Sequence, residues 1–296
     1  LLATDPDSDR LAVVVMHHKK PVSFNGNEVA CLILEYICQS MQEMKKIVSK
    51  PMFIKTIVTT ELFKAIVEHY GATCLDVLTG FKYIGEKIAL WEEDKKAAVS
   101  PHHFIFGGEE SYGYLYGAHA RDKDAIICAA IISEMACYLK SQGKTLVDLL
   151  SSLYQKYGIY REKLASLTFE GKEGMEKMRQ MMAHLRQNPP THIATSMGNA
   201  LVIRFEDYLA KKTVFPESGK EEPLLLPKSD VLRFWLSDDT KIVVRPSGTE
   251  PKIKIYCACF DKHHLVDEHA TQKAIAACDK RAQEYLNLIK QLLVAP

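Results

Sequence analysis

The alternation of strand-like and helix-like segments between about residues 25 and 150 is the feature that most constrains the fold. Short apolar runs such as "FIKTIVTT" and "ATCLDVL" are separated by helix-length segments such as "ELFKAIVEHYG", which a glycine closes. Strands separated by helices of this length indicate β-α units, whose strands lie parallel in one sheet. The sequence therefore predicts an α/β domain with a mixed, mainly parallel sheet over residues 25–153.

A different pattern follows that region. "GKEGMEKMRQMMAHLRQ" predicts one amphipathic helix, and "VLRFWL", "TKIVVR" and "KIKIYCACF" predict antiparallel strands before a final helix from about Glu268 to Leu293. "FPESGKEEPLLLPKSD" mixes proline, glycine and charge without periodicity, so it is expected to be a long exposed loop. Strands grouped together with helices at the ends predict an α+β domain with an antiparallel sheet over residues 154–296.

Composition and net charge limit the kinds of partner and the cellular location expected for this chain. The 296-residue chain has a formal net charge of +1, so no strong field favours nucleic acid or a membrane surface. No apolar run approaches the roughly 18 residues of a membrane span, and no cationic start followed by an apolar stretch indicates a secretory signal. The 8 cysteines lack paired metal-ligand spacing and are expected to be reduced. These features predict a cytoplasmic protein.

The stretch "DPDSDR" crowds Asp5, Asp7 and Asp9 into one short loop before the buried strand "LAVVVM". Carboxylates this close repel one another unless a cation compensates them. An EF-hand is excluded because its sixth and twelfth positions would be Arg10 and Met16 rather than glycine and glutamate. A Mg²⁺ site and a solvated acidic turn are the two interpretations, and the position directly before a buried strand favours the metal.

Two further loops carry candidate binding residues. "FGGEESYGY" places Glu109 and Glu110, followed by Ser111, just past the carboxyl end of a strand, where open α/β sheets bind ligands. Carboxylate and hydroxyl groups suit a polyol such as a sugar. A polar turn in which a glutamate begins a helix is the alternative.

"VVRPSGTEPK" places Arg245, Ser247 and Thr249 around Gly248 after another strand. An arginine fork, hydroxyl donors and backbone N–H groups near a glycine favour a phosphate site, with a nucleotide or a carboxylate as alternative ligands and a plain turn as the alternative structure.

Two charged stretches have weaker patterns. "TGFKYIG" places Lys82 near glycines, where a lysine can exchange a proton with a substrate or simply lie exposed. "ARDKDA" precedes a helix, and capping of that helix by Asp124 is the favoured interpretation.

With these loops in order, the chain resembles the α-D-phosphohexomutases, in particular the bacterial phosphoglucomutase/phosphomannomutase type. That family places four domains around one cleft. Its domain 2 carries an Asp-x-Asp-x-Asp-Arg magnesium loop, domain 3 a Gly-Glu-x-Ser sugar loop and domain 4 an Arg-x-Ser-Gly-Thr phosphate loop. "DPDSDR", "GEES" and "RPSGT" occur here in that order. The resemblance implies that residues 1–24 are the end of domain 2, residues 25–153 domain 3 and residues 154–296 domain 4.

The resemblance also implies roles for single residues. Asp5, Asp7 and Asp9 match the Mg²⁺ ligands, and Arg10 matches the basic residue beside the phosphoryl group. Glu109 and Ser111 match the pair that holds two sugar hydroxyls, and Lys82 matches a candidate general acid/base. The match to the phosphate clamp comprises Arg245, Ser247, Gly248 and Thr249.

The family's nucleophile is a phosphoserine in a Thr-Ala-Ser-His-Asn-Pro-like loop, and no such stretch occurs in this sequence. The expectation is a carboxy-terminal portion of a mutase that interconverts hexose 1- and 6-phosphates through a hexose 1,6-bisphosphate, with glucose favoured over mannose. The 296-residue chain alone is expected to be inactive. A phosphopentomutase of the same family and a non-catalytic sugar-phosphate-binding module remain alternatives.

Overall fold

The computed structural model describes residues 1–46, 48–96, 102–196, 198–248, 250–262 and 268–294, with only the backbone described at 95, 96 and 268. The chain divides into two compact units, Leu1–Tyr157 and Gly158–Pro296. The expected boundary at 153/154 falls inside a helix, Leu146–Tyr157, whose last turn belongs to the first unit. Residues 1–24 also belong to the first unit, although their strands form a sheet of their own.

Unit 1 alternates strands and helices after an initial antiparallel sheet. Its elements are β1 (Leu2–Thr4), β2 (Leu11–His17), β3 (Lys20–Ser23), α1 (Gly26–Glu43), β4 (Pro51–Thr56), α2 (Glu61–His69), β5 (Thr73–Val77), α3 (Lys82–Lys96), β6 (His103–Glu109), β7 (Gly113–Tyr116), α4 (Ala125–Ser141) and α5 (Leu146–Tyr157).

The main sheet of unit 1 has the strand order β5-β4-β6-β7. β4 pairs in parallel with both β5 and β6, and β7 turns back antiparallel along β6. This arrangement confirms the predicted mixed, mainly parallel sheet. The β6–β7 hairpin was not predicted, because the glycines and charges of "FGGEESYGY" favour a loop after a single strand. The hairpin turn places Glu109 at the carboxyl edge of the sheet.

Local sequence explains where the helices begin. Asn25 and Glu28 form a capping box at the start of α1: the Asn25 side chain accepts the Glu28 N–H, and the Glu28 carboxylate accepts the Asn25 N–H. Asp124 caps α4, as predicted, by accepting the N–H groups of Ile126 and Ile127 at 2.9 and 3.0 Å.

Among the described residues no single helix is long and apolar enough to cross a membrane, although α4 and α5 together, bent by 87°, reach that length and composition.

Unit 2 is dominated by antiparallel strands. Its elements are β8 (Ile159–Thr168), α6 (Gly171–Gln187), β9 (His192–Thr195), β10 (Gly198–Asp207), β11 (Lys212–Phe215), β12 (Lys220–Pro223), β13 (Leu232–Leu236), β14 (Lys241–Pro246), β15 (Lys252–Asp261) and α7 (Glu268–Val294).

The sheet of unit 2 follows the order β12-β11-β10-β13-β14-β15-β8, with β9 paired to β10. All of these pairings are antiparallel, which confirms the predicted sheet. The prediction of a long loop between Phe215 and Asp230 is wrong in part, because β12 lies within it and pairs with β11. β12 is exposed on both faces, so it has no hydrophobic alternation that could have indicated a strand.

Candidate functional site

The acidic loop forms a tight turn at the start of β2. The Asp5 carboxylate accepts the backbone N–H groups of Asp9 and Arg10 at 3.2 and 3.3 Å, and Ser8 adopts a left-handed conformation with φ 56°. Desolvation acts to raise the pKa of Asp5, but these N–H donors hold it below its ordinary value. The Arg10 guanidinium lies 3.9 Å from Asp5 Oδ2 and 3.8 Å from Asp9 Oδ1. The loop is therefore ordered by its own backbone and by Arg10.

The three aspartates have the donor chemistry of a Mg²⁺ site, because carboxylate oxygens are the ligands this ion prefers. Asp9 Oδ1 is buried without a hydrogen-bond partner, which suits a ligand atom. The three side chains do not converge, however: over the described ranges no group of three acidic, histidine or cysteine side chains is placed to hold an ion. Asp5 faces the loop backbone and Asp7 is exposed. The residues fit the ion by chemistry, and the loop would have to draw them together.

Lys123 is a member of this cluster that the sequence analysis missed. Its Nζ lies 3.0 Å from Asp9 Oδ2 and 3.0 Å from Asp122 Oδ1. The side chain reaches them across Gly113, where an added Cβ would lie 2.1 Å from Lys123 Cδ. The only indication of this role in the sequence is the charge cluster "ARDKDA", whose pattern favours capping of a helix by Asp124. Lys123 therefore links the loop before α4 to the acidic loop.

The Glu109 carboxylate is buried at the carboxyl end of β6. It is 7 % exposed, and its Oε1 accepts the Gly80 N–H at 2.8 Å. Burial and the neighbouring Glu110 charge raise the pKa of Glu109 above its ordinary value. A buried carboxylate makes few hydrogen bonds to water, so it is suited to accept hydrogen bonds from the hydroxyl groups of a ligand.

The loop of Gly80 also carries the predicted Lys82. This side chain is exposed at the start of α3, and its Nζ lies 4.9 Å from the centroid of the Tyr83 ring.

The turn between β6 and β7 is held by backbone contacts. Ser111 lies in this turn, half-buried. Tyr112, with φ 69°, accepts the Leu11 N–H through its carbonyl at 3.0 Å, and Arg10 forms a β-bridge with Gly113. Behind the turn, Gly26 approaches so closely that a Cβ there would lie 2.0 Å from the Glu110 carbonyl oxygen. The acidic loop and the Glu109–Ser111 turn are thus joined directly.

The predicted phosphate clamp lies in unit 2, at the end of β14. Arg245 donates from Nη2 to the Tyr256 hydroxyl at 3.0 Å, and its Nε is buried without a hydrogen-bond partner. The Ser247 N–H donates to the Lys252 carbonyl at 2.7 Å, which fixes the turn. Gly248 is exposed and has open space around it. Thr249 lies outside the described residues.

Within unit 1 the structure brings together four of the predicted segments: the acidic loop, the turn with Glu109 and Ser111, the loop before Lys82 and the charge cluster with Lys123. Apart from Thr249, the residues of the predicted clamp lie together in unit 2. Besides Lys123, the sequence analysis does not identify Tyr256, which positions Arg245. No pattern in the sequence links Tyr256 to Arg245.

Comparison with known proteins gives consistent relatives. Residues 25–157 match the family model described as phosphoglucomutase/phosphomannomutase, alpha/beta/alpha domain III. The phosphoglucomutase of Staphylococcus aureus strain MSSA476 is 37% identical over 266 residues, which cover 88% of this chain and 45% of that protein. The phosphoglucomutase of strain N315 matches to the same extent. The chain thus spans about half the length of the curated relatives it matches.

Solved structures show the same fold. The Paramecium protein pp63/parafusin, a phosphoglucomutase in an open form, matches 98% of this chain and 45% of its own with a TM-score of 0.57 and 17% identity. A phosphoglucomutase/phosphomannomutase family protein of Burkholderia thailandensis matches 99% and 47% with a TM-score of 0.55 and 14% identity. Residues 25–157 thus match domain III of the phosphoglucomutase/phosphomannomutase family. The sequence relatives extend this similarity over 266 residues, and the solved structures share the fold.

Proposed function

We propose that the full-length protein interconverts the 1- and 6-phosphates of a hexose, with glucose as the preferred sugar and mannose as the second. The observation that carries this proposal is the junction of the acidic loop with the Glu109–Ser111 turn, through the Arg10–Gly113 bridge and the ion pair of Lys123 with Asp9. A phosphoryl-transfer loop and a hydroxyl-binding turn side by side suit an enzyme that moves phosphate between hydroxyl groups of one sugar. The Staphylococcus relatives, named phosphoglucomutases, favour glucose.

Each proposed role follows from a local contact. Glu109 accepts hydrogen bonds from sugar hydroxyls, since its carboxylate is buried and already accepts the Gly80 N–H through Oε1. Ser111 shares the same turn. Arg245, with Ser247, Gly248 and Thr249, binds the phosphate that does not react; the buried Nε of Arg245 without a partner supports an anion there. Lys82 is the candidate proton donor and acceptor, and Arg10 neutralises charge beside the transferring group.

Magnesium is part of the proposal. Asp5, Asp7 and Asp9 would hold the ion in the full-length protein. When bound, Mg²⁺ neutralises negative charge on a phosphoryl group in transfer. The phosphoryl group would pass from a phosphoserine to the substrate, giving a hexose 1,6-bisphosphate, and the other phosphate would then return to the serine. Phosphate count and charge balance in this cycle, because each turn returns the enzyme to its phosphorylated form.

A coupled assay on the full-length product of the gene tests the proposal. Glucose 1-phosphate is supplied with Mg²⁺ and a trace of glucose 1,6-bisphosphate, and glucose 6-phosphate is measured through NADP⁺ reduction by its dehydrogenase. Mannose 1-phosphate and ribose 1-phosphate are run in parallel assays. Turnover of glucose 1-phosphate above the other two supports the proposal, and a preference for ribose 1-phosphate would replace it by a phosphopentomutase.

The 296-residue chain serves as the matched control. It contains the binding residues but no Thr-Ala-Ser-His-Asn-Pro-like stretch, so it should bind hexose phosphate weakly in titration calorimetry and show no turnover. An Arg245→Ala preparation made in the same way shows how much turnover comes from contaminating mutase. Turnover by the 296-residue chain above that level would contradict the need for an external phosphoserine. Full-length protein that binds hexose phosphate without any turnover would indicate a non-catalytic binding module.

A further inference from the structure

A cleft of about 340 Å³ lies in unit 1 at the opposite edge of the sheet from Glu109. Its lining includes Pro51, the first residue of β4, and Ala72, directly before β5. Because β4, β5 and β6 are parallel, their amino ends share this edge, whereas Glu109 ends β6 at the other. The cleft is therefore separate from every residue to which a role in hexose-phosphate chemistry is assigned above.

The inside of the cleft is apolar. Phe53 and Cys38, 2 % and 5 % exposed, form part of the lining, with Met41, Val48 and Ala72 beside them. An apolar lining of this kind favours the carbon body of a ligand, since removing CH₂ groups from water is favourable.

The rim of the cleft is cationic. Lys45 and Lys46, both exposed, follow the end of α1, where their N–H groups donate to the carbonyls of Gln42 and Met41 at 3.1 and 3.0 Å. His69 also lines the cleft. No carboxylate occurs among the described lining residues, so the two lysines give this rim a positive charge that favours an anion.

One wall is fixed before any ligand arrives. The Tyr70 hydroxyl donates to Glu35 Oε1 at 3.1 Å, and this buried carboxylate also accepts from Tyr157 and Lys156 at 3.2 and 3.3 Å. The His69 ring meets the Tyr70 ring edge-on, with centroids 5.3 Å apart. A wall held in place by these contacts loses little conformational entropy on binding, which favours affinity.

We propose that this cleft binds a small amphipathic anion: an aromatic or aliphatic body in the apolar interior, with one carboxylate or phosphate at the lysine rim. Charge complementarity selects an anion over a neutral ligand, and the volume limits the body to a small molecule. The site is independent of the hexose-phosphate residues, so the proposal goes beyond the mutase function and does not rest on it.

Methyl NMR on the 296-residue chain tests the site directly, because Met41 lines it. Protein carrying ¹³C-methyl methionine is titrated with 2-naphthoate, with 1-naphthyl phosphate and with the neutral 2-naphthalenemethanol. The Met41 signal is assigned from its loss in Met41→Leu. We expect a saturable shift of this signal with both anions, and the tighter of the two identifies the head group. Weaker binding of the alcohol is expected because it makes no ion pair.

The lysine rim is tested with Lys45→Gln/Lys46→Gln. Each substitution should weaken anion binding by about threefold, the effect of one partly exposed ion pair, and together by about tenfold. Lys144→Gln is the matched control, since Lys144 is also exposed just after a helix, α4, and lies outside the cleft. A silent Met41 signal at millimolar probe, equal affinity in the double variant, or equal affinity for the alcohol would each overturn the proposal.

Discussion

Replacing Gly26 by alanine should loosen the turn that carries Glu109 and Ser111. Gly26 is the first residue of α1, and an added Cβ would lie 2.0 Å from the Glu110 carbonyl oxygen and 2.8 Å from the Tyr112 nitrogen. Ordinary non-bonded contact needs about 3.5 Å, so the two backbones must separate by more than about 1 Å. Neither can yield easily, because the Tyr114 hydroxyl donates to the Gly26 carbonyl at 2.8 Å and holds the helix start.

Two effects of opposite sign set the magnitude. Alanine favours a helix over glycine by up to about 1 kcal/mol in a helix interior and by less at the first position. Overpacking of a well-packed site costs about 1–3 kcal/mol. Because both atoms that meet the new methyl group are backbone, we expect the second effect to win, with a net loss of about 1–2 kcal/mol in the free energy of unfolding of unit 1.

Urea unfolding followed by tryptophan fluorescence measures this loss. The chain has 2 tryptophans, Trp91 in unit 1 and Trp235 in unit 2, so Gly26→Ala is compared with its parent in a Trp235→Phe background. The control is Gly248→Ala in a Trp91→Phe background, where nothing lies within 4 Å of the added Cβ and a change within about 0.5 kcal/mol is expected. A loss below about 0.5 kcal/mol in Gly26→Ala would show that the turn adapts, and the close approach would not define its position.

Three further substitutions test the site itself. Arg245→Lys keeps the charge but loses the planar fork and the contact with Tyr256. The KM for hexose phosphates in the full-length protein should therefore rise about tenfold, with little change in the unfolding midpoint. An unchanged KM would show that Arg245 is structural. Asp7→Asn removes one carboxylate from an exposed position, so turnover and Mg²⁺ affinity should fall while the free energy of unfolding is unchanged. A near-normal rate with unaltered Mg²⁺ dependence would contradict the proposed metal site. Glu109 has a pKa raised by burial and by Glu110, so its contribution to stability is fully present below the unfolded-state pKa and is lost as pH rises through the folded-state pKa. Glu109→Gln keeps an acceptor for Gly80 but does not titrate, so its stability relative to wild type should grow from acid to neutral pH in urea unfolding, and a difference that does not vary with pH would contradict the raised pKa.

Periodic segments were the predictable part of the fold. The helix predicted from "GKEGMEKMRQMMAHLRQ" is α6, Gly171–Gln187, and the segments on either side of Gly71 are α2 and β5. The two helices each bury one face, so burial leaves its period in their sequences. Gly71 has φ 67°, the left-handed conformation that a glycine after a helix supplies.

Strands without a buried face were not predictable in the same way. β12 is exposed throughout, and Glu221 on it forms an ion pair with Lys212 on β11 at 2.7 Å. β8 was also missed, because its charged residues interrupt any alternation, although it pairs with β15 from Ile159 to Thr168. In both cases the strand forms because a neighbouring strand offers its backbone, and that partner is distant in sequence or is itself unpredicted.

The residues of the candidate site also fall into those predictable from local sequence and those that depend on distant contacts. Local chemistry makes Glu109, Arg245 and the three aspartates candidates, since carboxylates beside glycines and an arginine beside hydroxyls are visible in a short window of sequence. Local chemistry also explains Asp124, whose carboxylate caps α4 two and three residues away. Lys123, one residue before it, is different. Its ammonium group meets Asp9, which lies far away along the chain.

Two glycines are required by contacts with segments that are distant in sequence, but the sequence around each glycine does not show this requirement. Gly113 looks like a turn residue in "ESYGY", yet it lies within β7, where its missing side chain leaves room for Lys123, and its backbone forms the bridge to Arg10. Gly26 likewise looks like part of a helix start, but it is the point where α1 meets the Glu110 carbonyl. A glycine required by the approach of another segment cannot be distinguished from one required by a turn until that segment is placed. The contacts that join the acidic loop to the Glu109–Ser111 turn therefore depend on residues whose role only the folded chain defines.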